Sequence, residues 1–240
     1  RAGLRTRPGA GSGHGRGRVP ITAGGGFRRS RLEPAPRSPV PSASFWNGAE
    51  GWQGGGVTFG VREFELVLMH RMRDLNPERV EEALREMGAS RAEVREAHAH
   101  WTRLAHAPRA PKGAAALRTA LGPPPYRGSR PAGSLTCTVL RWTLPSWPGL
   151  AYEALLGPGD ELWNQWFVRP SGPAASLALP DLTPWTCVVA DVGASFPGAV
   201  QMEGPAPHHW TVDFPSGGRT YRARFVYGLL QRLDPAPATA

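Results

Sequence analysis

Few side chains in this sequence have a type and spacing that could do chemistry, and those few do not converge. His98, His100 and His106 fall close together, but the first two would leave a helix on different faces, and His98 and His106 are too far apart for one metal shell. His208 and His209 have no ligand motif beside them. Ser195 sits in "GASFPG", which misses the G-x-S-x-G spacing of a nucleophile elbow, and the only lysine, Lys112, belongs to no phosphate-cradling glycine loop. In "GSGHGRG", Arg16 stands where the third glycine of a dinucleotide fingerprint belongs. Glu153, Asp160, Glu161, Asp191, Glu203 and Asp213 are scattered, and no pair can be placed at a glycosidase-like separation without a fold. No catalytic residue, metal or cofactor is assigned.

The candidate binding residues lie in "GDELWNQWFVRP", 159–170. In a strand, Trp163, Gln165 and Phe167 would project to one side and Leu162, Asn164, Trp166 and Val168 to the other. Each mostly apolar face thus carries one amide. A central strand buried on both sides, its amides satisfied by backbone, is one reading. The other is an open face on which an aromatic platform and a fixed hydrogen-bonding group receive a ligand, giving Trp163, Asn164, Gln165 and Trp166 as ligand-binding residues.

Charge offers a second route. The formal net charge is +9, yet residues 1–44 hold nine arginines against Glu33 alone, so the head carries +8 and the other 196 residues are nearly neutral. The head could attract phosphates through Arg28, Arg29 and Arg31 in the manner of an arginine-rich RNA-binding arm or a transit peptide. Arg outnumbers Lys 27 to 1, a bias that a GC-rich coding sequence would also produce. Because the chain begins with Arg, and Met69 and Met72 precede the first convincing element, the head is equally read as sequence outside the native coding region.

These residues must be placed by elements of two kinds. Residues 1–56 have scarcely an apolar residue at either periodicity and are expected to be disordered. Within 57–106, "VREFELVLMHRM" fits a strand or a helix. Asn76, Pro77 and Glu78 then open a helix with Val80, Ala83, Leu84 and Met87 on one face until Gly88. Ser90 and Glu93 make a capping box before the stripe Val94, Ala97, Trp101 and Leu104. Residues 107–133 read as a Pro-rich linker with a short helix at 113–121. From 134 to 235 the period becomes two, giving candidate strands at 135–144, 151–156, 161–169, 186–192, 198–203, 208–214 and 219–230. With "PSGG" (215–218) as a loop, Val212 falls opposite Tyr221, and Asp213 becomes a diagonal partner of Arg222. The fold class is α+β: an N-terminal helical hairpin followed by a C-terminal antiparallel β-sheet or partly open barrel or sandwich. The 40% apolar content, with nine Trp and eight Phe, suffices for a core.

Two resemblances bear on function. Met87, Gly88, Ala89, Ser90 and Val94 resemble the turn of DNA-binding helix-turn-helix motifs, which implies a reading helix opening with Arg91 and Arg95. Leu84 departs from the pattern, as do Glu93 and Glu96, whose carboxylates would repel phosphates, and a plain helical hairpin is favoured. "SLTCTV" and "DLTPWTCVV" are similar to the two cysteine strands of an immunoglobulin-like domain, although the cysteines are only 50 positions apart and no strand C Trp fits. Two buried thiols are the favoured state.

The chain reads as a binding or scaffold protein with a β-rich interaction domain and an unknown protein or small ligand as partner. The alternative is a nucleic-acid-binding protein using head and hairpin, and a hydrolase with a β-domain site stands third. Without an apolar run of roughly 18–20 residues or a signal-peptide pattern, no membrane contact and a cytoplasmic location are expected.

Overall fold

The computed structural model describes residues 19–20 as backbone and residues 59–174 and 176–237 in full. The region expected to be disordered, 1–56, therefore lies outside the described residues apart from Val19–Pro20 (β1).

Four helices come first: α1 (Val61–Met72), α2 (Pro77–Glu86), α3 (Arg91–His106) and α4 (Gly113–Leu121). The segment that fitted strand or helix is α1, where six successive residues, Phe64 to Met69, are buried. A helix covered all round shows neither alternation nor a stripe, which explains its ambiguous pattern. Asn76 Oδ1 accepts from Arg79 N–H (3.3 Å) to start α2. Gly88, with φ +59°, ends it while Ala89 N–H closes on Leu84 O (2.8 Å). The Ser90–Glu93 capping box is formed in both directions, at 3.2 and 2.8 Å. Trp101 then sets its ring edge to face with Phe64, centroids 5.2 Å apart, along α1.

Residues 107–133 contain α4 and a full strand, β2 (Tyr126–Ala132). Ala114 and Leu117 are buried in the main core, and β2 pairs along its whole length with β3 (Leu135–Trp142). Pro131 is tolerated because β2 is an edge strand. With β4 (Ala151–Leu156) and β5 (Leu162–Val168) these form an antiparallel sheet in the order β2-β3-β4-β5. Leu140, Trp142, Tyr152, Ala154, Leu156 and Phe167 face the helices and share one core with them.

The second antiparallel sheet runs β1-β6-β7-β8-β9, its last four strands being Val200–Glu203, His209–Ser216, Arg219–Val226 and Leu229–Pro235. Val212, Phe214, Ala223, Phe225 and Leu230 bury against Leu182, Cys187, Val192 and Phe196. Val226, Tyr227 and Leu229 belong to the first core, and Phe167 N–H donates to Tyr227 O (2.7 Å), so the β8–β9 turn joins the sheets. The molecule is α+β, and among the described residues neither sheet closes into a barrel.

Beyond the strand found in the expected linker, three expectations on strands and a turn need correction. The run 186–192 is no strand: only Val188 bridges to Leu229, and α5 (Val189–Ser195) follows, its start capped by Asp191, which accepts from Val188 N–H (3.0 Å). The run 219–230 is two strands, β8 and β9, broken at Tyr227–Gly228. In the β7–β8 hairpin only Gly217 and Gly218, at φ +57° and +75°, form the loop, so Val212 faces Ala223 and Asp213 lies directly opposite Arg222. The shift of two preserves the faces, and Asp213 takes a two-pronged ion pair from Arg222, both distances 2.7 Å. The immunoglobulin pairing is absent: Cys137 and Cys187 are free, buried and in different apolar clusters.

Candidate functional site

β5 does not alternate as a regular strand would. Leu162 pairs with Leu156 and Asn164 with Leu155, so Trp163 is the extra residue of a bulge. Leu162 consequently packs on the helical core with Phe167, while Asn164 and Trp166 lie on the opposite face, both partly exposed. Asn164 Oδ1 accepts from Gln165 N–H (2.8 Å), and Gln165, opposite Ala154, is on the core side. Trp163 is exposed, lies over Gly157 where any Cβ would meet its indole, and donates to Glu161 (3.2 Å). The four residues proposed from sequence are thus divided: Trp166 and Asn164 share the open face, Gln165 turns inward, and Trp163 sits at the strand's beginning.

This face of β2–β5, open to solvent among the described residues at Tyr126, Arg130 and Leu135, holds residues that sequence reasoning did not single out. Cross-strand pairing brings Tyr126, Arg141, Glu153 and Trp166 into one row. Glu153 is fully buried, with Arg141 Nε at 2.7 Å and Arg130 Nη1 at 3.1 Å. The Arg130 guanidinium covers the Trp166 ring at 5.1 Å, and that of Arg141 lies 4.7 Å from the Tyr126 ring centre. Beneath them Cys137, Val139 and Leu155 form a small apolar cluster with Trp166. Tyr126 and Leu135, 46% and 45% exposed, stand at the two ends of the β2–β3 ladder on this face. Arg130 and Arg141 reach solvent, and the carboxylate that balances them does not. The missed signal is the alternation Tyr126, Gly128, Arg130 in a stretch whose prolines suggested a linker.

The other predicted positions do not gather. Arg28, Arg29 and Arg31 lie outside the described residues. Arg91 is exposed and bound to Glu81 (2.7 Å), while Arg95 is exposed on the same helix. Of the histidines, His98 stacks on His70 with centroids 3.8 Å apart and His100 on Phe59 at 5.1 Å. Burial first, then the neighbouring His98, lowers the His70 pKa to about 4. Ser195 Oγ accepts from Leu177 N–H (3.0 Å) and donates to Ala174 O (3.1 Å), a loop-fastening role. Among the described residues no group of three or more His, Cys, Asp or Glu could hold a metal ion, and no helix is long and apolar enough to cross a membrane.

Comparisons with protein families, with curated proteins and with solved structures find no match to this chain.

Proposed function

We propose that the protein is a binding protein whose recognition surface is the open face of β2–β5 and whose occupant is a single-stranded nucleic acid. The observation that carries this reading is the burial of Glu153 beneath Arg130 and Arg141, which leaves positive charge alone at the solvent side of an aromatic face. Aromatic rings accept stacked bases whatever their sequence, and guanidiniums take the backbone phosphates, so the combination suits a flexible polyanion. The head, with +8 of the net +9, adds long-range attraction that brings a polyanion near the chain. Antiparallel sheets can leave one side to solvent, and among the described residues the helices pack on the other side.

Fluorescence anisotropy of a labelled oligo-dT of about ten nucleotides, a length within the usual site size, tests the reading on the full chain. Tyr126→Ala and Arg130→Gln should each weaken binding about fivefold or more, since a stacked base or a phosphate contact is worth about 1–3 kcal/mol. If both variants bind like wild type while an Arg28, Arg29, Arg31→Gln triple variant loses binding, the head alone holds the strand and the reading fails. Retained oligo-dT binding in every variant, or none in the wild type, would leave a protein partner as the occupant of this face and equally contradict it.

A further inference from the structure

Away from the open face, a cavity of about 310 Å³ lies between α2, the turn after β3 and the loop before α5, lined chiefly by Arg79, Trp147, Leu150, Arg169, Pro184 and Trp185. Its aromatic walls are fixed. The Trp147 and Trp185 rings are 5.3 Å apart at a 53° tilt, and Trp147 also packs on Phe167 with centroids at 4.8 Å. Trp185 Nε1 donates to the buried Gln231 side chain (2.9 Å). Trp147 Nε1 is a buried donor with no acceptor among the described residues. Such a volume is at the small end for ligand sites and suits a single ring system.

Two guanidiniums flank this apolar space. Arg169 is locked by Asp191 (2.9 and 3.3 Å) and by Thr186 O (2.9 Å), so it is a stationary wall. Arg79 lies 5.0 Å over the Trp185 ring, and its only carboxylate partners among the described residues, Glu82 and Glu86, are exposed on α2. Exposed pairs of that kind are weak and readily exchanged. Among the described residues no carboxylate lines the cavity. We infer that it binds a small planar monoanion, an aromatic carboxylate whose ring lies on the Trp147–Trp185 wall and whose charge replaces Glu82 on Arg79. The ring recovers apolar burial, and the bidentate carboxylate contact fixes its orientation.

Calorimetric titration of the full chain with benzoate and indole-3-acetate tests this, with acetate and benzyl alcohol as probes of charge and ring alone. The aromatic carboxylates should bind about tenfold or more tightly than either control. Arg79→Gln should reduce their affinity by about tenfold or more, the loss of a charge-assisted contact, while Arg79→Lys retains part of it. Arg79 is a partly exposed helix residue, so folding of both variants is checked by unchanged circular dichroism. No heat with any probe up to about 10 mM, equal binding of benzyl alcohol and benzoate, or wild-type affinity in Arg79→Gln would each overturn the inference.

Discussion

Glu153 decides the character of the open face. Its carboxylate is fully buried while Arg130 and Arg141 keep contact with water, so one removed charge changes stability and surface potential in different directions. Glu153→Gln should lower unfolding stability by about 2 kcal/mol, less than the roughly 3–5 kcal/mol of a wholly buried broken pair because the guanidiniums stay hydrated, as read by urea denaturation. The same variant should bind oligo-dT at least as tightly as wild type, since the positive face loses its counter-charge. His70 and His98 give a second residue-scale outcome. Burial lowers both pKa values, and Arg71 and Arg73 add to the effect, with Asp74 opposing it at His70. A histidine held below its ordinary 6.5 takes up protons more readily unfolded, so its stabilisation is complete above that value and declines as pH falls toward about 4. His208 and His209 shift the same way, again mainly through burial. The urea midpoint should therefore drop between pH 6.5 and 4, and His70→Phe, which keeps the stack and removes one titrating group, should drop less; an equal drop would place the acid sensitivity elsewhere. This pairing was invisible in sequence because His70 and His98 approach only when α1 packs on α3.

At the scale of elements, the helix caps were legible and the β5 pattern was not. Asn76, Pro77, Ser90 and Glu93 are local signals, and each performs its expected role within a few residues. β2 was hidden because Pro131 and Gly128 usually disfavour strands, and only its edge position and its pairing with β3 make them acceptable. The bulge at Trp163 was hidden because it depends on the β4 register, which no local pattern encodes. It leaves two neighbouring tryptophans in unlike settings. Trp163→Ala should cost less than about 1 kcal/mol, its ring being half in solvent over Gly157, whereas Trp166→Ala should cost about 2 kcal/mol through the Cys137–Val139–Leu155 cluster. Acrylamide should quench the Trp163 contribution more strongly, and equal costs would contradict the bulged geometry. The hairpin register illustrates the same limit on a smaller scale: hydrophobic faces set its parity, and the two glycines in left-handed conformation set which of two registers with that parity forms.

For the whole molecule, most of the net charge lies outside the residues whose fold is described. Residues 1–44 hold +8 of the net +9, whereas the open face offers only a few guanidiniums arranged over rings. Electrostatics from the head would be steep in salt and indifferent to face variants, while stacking on the sheet would persist at salt levels that screen the head. Whether a single strand lies on the open face of β2–β5 is read by photocrosslinking a 5-bromouridine oligomer to the full chain and mapping the adducts by mass spectrometry. Adducts should form at Tyr126 and Trp166 and be competed away by free oligo-dT; adducts confined to residues 1–44 or to α3, with none on β2 or β5, would show that the strand does not lie on this face.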